Sequence, residues 1–200
     1  MNFLAHLLLS GNNEGVIAGN YAGDFVKGWL TEEKTRAWDS DYLTGVKLHR
    51  FIDSFTDSHP IVRETKRNVA VSEGKLAGIV LDIYFDYFLA KYFDYFREES
   101  LVDFSQRMYS VFRSSKDLIP AAMIPMMNAM IKQDWLMTYA TIDGIALTFA
   151  RLSRRAAFLT PISNASVELQ NSEAYYHIQF TLFFPELQTA CAKFLQESRQ

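Results

Sequence analysis

Two acidic side chains stand inside an apolar and aromatic run, Leu-Asp-Ile-Tyr-Phe-Asp-Tyr-Phe-Leu at 81–89. On a helix turning about 100° per residue, Asp82 and Asp86 stack on one face, and Ile79, Leu89 and Phe93 project beside them. Carboxylates shielded in this way stay ionised only if a cation or several hydrogen-bond donors sit between them. A second polar stripe, His49, Asp53 and Thr56, runs beside the apolar stripe Leu48, Phe51, Ile52 and Phe55. That places it at the edge of a core, where a cleft opens. His6 interrupts an apolar segment, and Asn20 and Asp24 share a stripe next to Gly19 and Gly23. Neutral imidazole with two or three carboxylates suits a hard divalent ion, Mn²⁺ or Mg²⁺. Such an ion activates water and neutralises phosphate charge, so the chemistry implied is metal-dependent phosphohydrolysis.

The elements that must position these groups all read as helices. Asn2 to Leu9 forms a short buried helix ended by Gly11, Asn12 and Asn13, and Glu14 to Gly28 forms a second, whose glycines admit a close neighbour. A polar connection with a short helical piece, Thr31 to Ser40, leads to a helix from Asp41 to about Asp57. Pro60 starts the next, with Arg63, Lys66 and Arg67 on one face. A long helix from Glu73 to Phe96 carries the two aspartates, and Leu101 to Arg113 is amphipathic. Met123, Met126, Met127 and Met130 read as adaptable core rather than as a cofactor box. Thr141 to Arg155 ends with Arg151, Arg154 and Arg155 at i, i+3 and i+4, and two terminal helices are expected to meet around Pro185. Without repeat or hairpin signal, the fold class is all-α.

Composition narrows the function. Two hundred residues, 49% hydrophobic, form one core and one domain. A net charge of -3 argues against a general nucleic-acid binder. Cys191, the single cysteine, excludes an internal disulfide and a Cys-rich zinc site and points to a reducing, cytoplasmic setting. No run approaches a membrane span, and the apolar start lacks the basic residues of a signal peptide. Glu-x-x-His, His-Glu-x-x-His, glycine-rich phosphate loops and Gly-x-Ser-x-Gly elbows are all missing from the sequence.

Four segments carry a family resemblance. Asn-Phe-Leu-Ala-His at 2–6, Gly-Asn-x-x-x-Asp-Phe-Val-Lys-Gly at 19–28, His-Arg-x-Ile-Asp at 49–53 with Thr56, Asp57 and Pro60, and Leu-Asp-x-x-x-Asp-x-Phe-Leu at 81–89 occur in that order. Together they resemble the bacterial acyl-carrier-protein phosphodiesterases, which are similar to the HD-domain phosphohydrolases. The resemblance implies a single-domain, HD-domain-like helical bundle over residues 1–200. It also implies Mn²⁺-dependent hydrolysis of the phosphodiester joining 4'-phosphopantetheine to a serine of holo-acyl carrier protein. Carried onto this chain, the metal ligands are Asp24, His49, Asp82 and Asp86, with His6 and Asp53 as ligands or their supports. One position departs from the family: Tyr87 stands where a histidine often follows the second aspartate.

Within that reading Arg50 stabilises phosphoryl charge, Asp53 or Asp86 accepts the proton of the attacking water, and His6 acts as general acid for the serine oxygen. The acidic carrier calls for a basic docking surface, Arg63, Lys66 and Arg67 or Arg151, Arg154 and Arg155. Two other readings stand beside this one. They are a metal-dependent phosphohydrolase of a nucleotide or other small phosphate ester, and a non-catalytic helical interaction protein whose Asp and His residues form internal polar networks.

Overall fold

A computed structural model describes residues 1–198. Among them regular structure is entirely helical, in the order α1 (Phe3–Leu9), α2 (Glu14–Ala22), α3 (Glu32–Thr35), α4 (Ser40–Ser58), α5 (Pro60–Glu73), α6 (Ala77–Lys91), α7 (Leu101–Ser114), α8 (Ile124–Lys132), α9 (Trp135–Thr138), α10 (Ile142–Ser153), α11 (Ala165–Asn171) and α12 (Glu173–Glu197). Side-chain caps start several of them. Asn13 accepts from the Val16 amide, Asp39 from Asp41 and Tyr42, Ser100 from Asp103, and Thr141 from Gly144. No helix is long and apolar enough to cross a membrane among the described residues.

α6 is the core element. Eleven of its fifteen residues are buried, and its aromatic side packs on α12 through Phe85 against Phe183 and Phe88 against Phe180. The stripe expected on α4 faces the same core. Leu48 and Ile52 are fully buried, while Phe51 and Phe55 lie against Phe194 and Phe183 of α12. Met123, Met127 and Met130 are buried apolar core, as their spacing suggested.

The α2–α4 crossing sets the site. A Cβ on Gly19 would stand 2.0 Å from the Tyr42 carbonyl oxygen, and one on Gly45 2.2 Å from that of Val16. Only glycine on both helices permits this backbone approach. It brings Asn20, the residue after Gly19, to His49, one turn beyond Gly45.

Several expected boundaries differ. The second helix stops at Ala22 and tightens into a 3₁₀ turn, Gly23–Phe25, so Asp24 projects from a turn. The long helix is broken at Gly74, whose φ of 55° is left-handed, and α6 begins at Ala77. Pro185, expected to separate two terminal helices, lies inside the continuous α12. Its missing N–H costs one hydrogen bond, which the packing of Phe180, Phe183, Phe184 and Leu187 into the core offsets.

Candidate active site

A cavity of about 470 Å³ opens among α1, α2, α4, α6, α9 and α10, within the usual range for small-molecule sites. His6, Asn20, Asp24, His49, Asp53 and Thr56 line one part of it. Phe3, Tyr21, Ile83, Trp135 and Leu152 supply apolar surface, and Arg151 of α10 and Arg155, in the turn after it, bring guanidinium groups.

The imidazoles of His6 and His49 are buried, and their ring centroids are 4.4 Å apart. Asn20, fully buried, orients both. Its amide nitrogen donates to the His6 carbonyl at 2.9 Å and to Ser10 Oγ at 2.8 Å, which fixes the amide's orientation. Its oxygen then lies 2.9 Å from His6 Nδ1 and 3.2 Å from His49 Nδ1. Each Nδ1 therefore carries a hydrogen and donates to Asn20 Oδ1, and each Nε2 is turned towards carboxylate oxygen. His6 Nε2 is 3.3 Å from Asp53 Oδ1, and His49 Nε2 is 3.2 Å from Asp53 Oδ2 and 3.4 Å from Asp24 Oδ1.

A lone pair facing a carboxylate is repulsive unless a cation stands between them, so the arrangement selects for positive charge. Burial opposes charge on His49, but Asp24 and Asp53 outweigh it and lift the imidazole to about 9. For His6 burial dominates and lowers the pKa. Burial likewise opposes ionisation of Asp53, yet His49 and His6 prevail and hold it well below the ordinary carboxylate range. Asp24 is lowered chiefly by its hydrogen bond to His49.

One donor atom each from His6, His49 and Asp53 lie within 4.8 Å of one another. Ligands about 2.0–2.2 Å from a small divalent ion are separated by up to roughly 4.4 Å, so this set fits such an ion after shifts of a few tenths of an ångström. Asp24, beside His49 and open to solvent, is within reach as a further ligand. Two buried hydroxyls on residues lining the cavity, Tyr21 Oη and Thr56 Oγ1, have no hydrogen-bond partner among the described residues. Such orphaned groups typically mark a place for water or ligand.

Asp82 and Asp86 take different places. Asp86 is completely buried, and its carboxylate accepts from the backbone amides of Asn2, Leu4 and Ala5 at 3.2, 2.7 and 3.3 Å. It caps α1 and is not among the residues lining the cavity, so the structure does not bring it together with the other expected metal ligands and bases. Asp82 lines the cavity, but its Oδ1 is 2.7 Å from the Met1 ammonium and lies outside the His6–His49–Asp53 cluster. The demand read from their spacing is met by an ammonium and by amide donors of the chain itself. Burial opposes charge on that ammonium, and Asp82 outweighs it, leaving its pKa raised.

Arg50 also differs from expectation. Its guanidinium donates to the carbonyls of Val26 and Gly28 at 2.8 and 2.7 Å, tying down the segment after Asp24, and it does not line the cavity. His6, the residue expected to act as general acid, lines the cavity with its imidazole buried, and burial lowers its pKa. Tyr87 donates to Glu173 and accepts from Lys91 away from the cavity, so the family departure there leaves the His/Asp cluster untouched. Of the basic groups, Arg151 and Arg155 line the cavity, whereas Arg63, Lys66, Arg67 and Arg154 do not. Asn20's orienting role went unread in the sequence; its place beside the Gly19–Gly23 stripe was the signal.

Fold and site together define an all-α protein with two imidazoles and neighbouring carboxylates converging on a cleft suited to a hard cation. A family model described as acyl carrier protein phosphodiesterase matches residues 1–187, and the chain belongs to that family. Proteins named acyl carrier protein phosphodiesterase are similar over nearly their full length. That of Photorhabdus laumondii is 29% identical over 186 residues, 92% of each chain. That of Serratia proteamaculans is 28% identical over 188 residues, 94% of this chain and 95% of the relative. That of Escherichia coli O157:H7 is 27% identical over 198 residues, 96% and 98%. No solved structure matches the chain.

Proposed function

We propose that the chain hydrolyses the phosphodiester between 4'-phosphopantetheine and the serine of holo-acyl carrier protein, with Mn²⁺ or Mg²⁺, releasing 4'-phosphopantetheine and the apo carrier. The observation that carries this reading is the convergence of His6, His49 and Asp53 on one cavity, with Asn20 turning both Nε2 atoms inward. His6, His49 and Asp53 would hold the ion, with Asp24 beside them. A divalent ion supplies charge neutralisation on the phosphodiester and acidification of water.

The chain's own groups do the rest. Asn20 keeps both imidazoles in the Nδ1–H tautomer. Asp24, beside His49 and exposed on its other side, accepts the proton of the attacking water. The apolar wall of Phe3, Tyr21, Trp135 and Leu152 receives the pantetheine arm and limits water at the reacting centre.

The acidic carrier docks on the α5 face beside the cavity. Arg63 and Arg67 are exposed there, and Lys66 stands 3.6 Å from Asp57, a cavity-lining residue. Charge complementarity of this kind steers encounter more than it sets affinity. A cytoplasmic setting agrees with this substrate and with the buried, unpaired Cys191.

Incubating the protein with holo-carrier and Mn²⁺ and weighing the carrier by mass spectrometry tests the proposal. Loss of the phosphopantetheine mass is expected. An unchanged carrier, with turnover of small phosphate esters instead, would replace the substrate while keeping the site.

A further inference from the structure

The cavity holds two cations that the His/Asp cluster does not use. Arg151, in the last turn of α10, and Arg155, in the turn that follows the helix end at Ser153, both line it, as do Thr148 and Leu152. The Arg155 backbone N–H donates back to the Leu152 carbonyl at 3.0 Å and folds this turn against the helix end, so two guanidinium forks border one cavity and can share one phosphoryl group. Neither arginine pairs with a carboxylate among the described residues. Arg155 is placed over the Trp135 ring, its Cζ 5.4 Å from the centroid, and Trp135 in turn packs against Phe3. That contact fixes the direction of the guanidinium while leaving its N–H edge free.

Charge balance points the same way. Asp24, Asp53, Asp57 and Asp82 all line the cavity. An anion entering it meets carboxylates on the α4 and α6 sides, and Arg151 and Arg155, at the end of α10 and just beyond it, are the counterweight. Arg154, the third member of the cluster, is exposed and lies off the cavity. Arg50, the other guanidinium near the site in sequence, is already committed to two carbonyls.

We infer that Arg151 and Arg155 form a paired guanidinium clamp that grips the non-bridging phosphoryl oxygens and holds the phosphorus against the His6–His49–Asp53 cluster. The inference rests on the reading of this cavity as a phosphodiester site, and it assigns the two arginines to the phosphate rather than to the carrier's surface. A fork-to-phosphate contact is a charge-assisted pair that a lysine reproduces only in part.

Inorganic phosphate is the probe, titrated into the full chain by calorimetry, with Arg151→Met, Arg155→Met, the double variant, both Arg→Lys variants, and Lys132→Met on α8 as a control for net charge. Wild type is expected to bind phosphate. Each Met variant should bind about tenfold more weakly or worse, the double variant should not bind measurably, and the Lys variants should fall between. Melting temperatures should stay unchanged and Lys132→Met should bind like wild type. Phosphate affinity unchanged in both Met variants would overturn the clamp, and so would a wild type that binds no phosphate at millimolar concentration. A raised KM for the carrier with phosphate affinity intact would also overturn it, since that is the signature of protein docking. If wild type fails to cleave holo-carrier while the variants still lose phosphate, the substrate reading falls and the clamp stands.

Discussion

The imidazoles of His6 and His49 face one another with ring centroids 4.4 Å apart and planes 31° from parallel. Two positive rings at that separation repel strongly in a buried setting, so with no ion between them and the carboxylates, Asp24 and Asp53 favour charge on His49, while burial disfavours it on His6. Asn20 presents one oxygen to both Nδ1 atoms and removes the choice of tautomer. Asn20→Ala should weaken Mn²⁺ binding about 10–100-fold, the usual cost of losing the partner that orients a ligand. It also strands the His6 carbonyl and Ser10 hydroxyl, so the melting temperature should fall. Calorimetric titration of metal into the variant is the measurement, and wild-type affinity would remove Asn20 from the site.

Glycines near the site separate fold from function. A Cβ on Gly23 would lie 2.2 Å from His49 Cγ, so Gly23→Ala must displace the imidazole. A Cβ on Gly45 would lie 2.2 Å from the Val16 carbonyl oxygen, so Gly45→Ala must push the α2 and α4 backbones apart. The second substitution should lower stability by about 3 kcal/mol or more, beyond ordinary overpacking. The first should abolish metal binding and turnover with a smaller loss of stability. Circular dichroism melts alongside metal titration distinguish the two.

Helical periodicity made the fold and some of the site legible. Leu48 and Ile52 on α4 and the buried face of α6 follow from spacing alone, and the His49–Asp53 pair is local at i, i+4. Periodicity names the face a residue shares, not what lies against it. Asp82 and Asp86 needed partners, but those partners, Met1 and the first amides of α1, are more than 80 positions away. Arg50 looked functional because it follows His49, although it projects about 100° further round the helix and meets a loop more than 20 residues earlier.

Arg50→Met tests that reassignment. Without the two carbonyl contacts the segment 26–28 loosens, so tryptic cleavage after Lys27 should quicken. Turnover should fall modestly through Asp24, which precedes that segment, and inorganic phosphate affinity should not change. A phosphate affinity lost to the extent expected for Arg151→Met would return Arg50 to the phosphate.

Asp86 gives a prediction in pH. Burial pushes its carboxyl up to about 7, and the Met1 ammonium and the amides of Leu4, Asn2 and Ala5 only partly offset this. With a folded pKa above the unfolded value of 3.8, the native state holds the proton more tightly. This contribution to stability is complete below pH 3.8, declines as pH rises through about 7, and is flat above that. Asp86→Asn lacks this titration, so the stability of wild type relative to the variant should fall with a slope approaching ~1.4 kcal/mol per pH unit between those limits. Urea unfolding at pH 5, 6, 7 and 8 measures it. A difference that grows with pH instead would mean that the helix-capping amides and the ammonium hold the carboxylate ionised against the cost of burial.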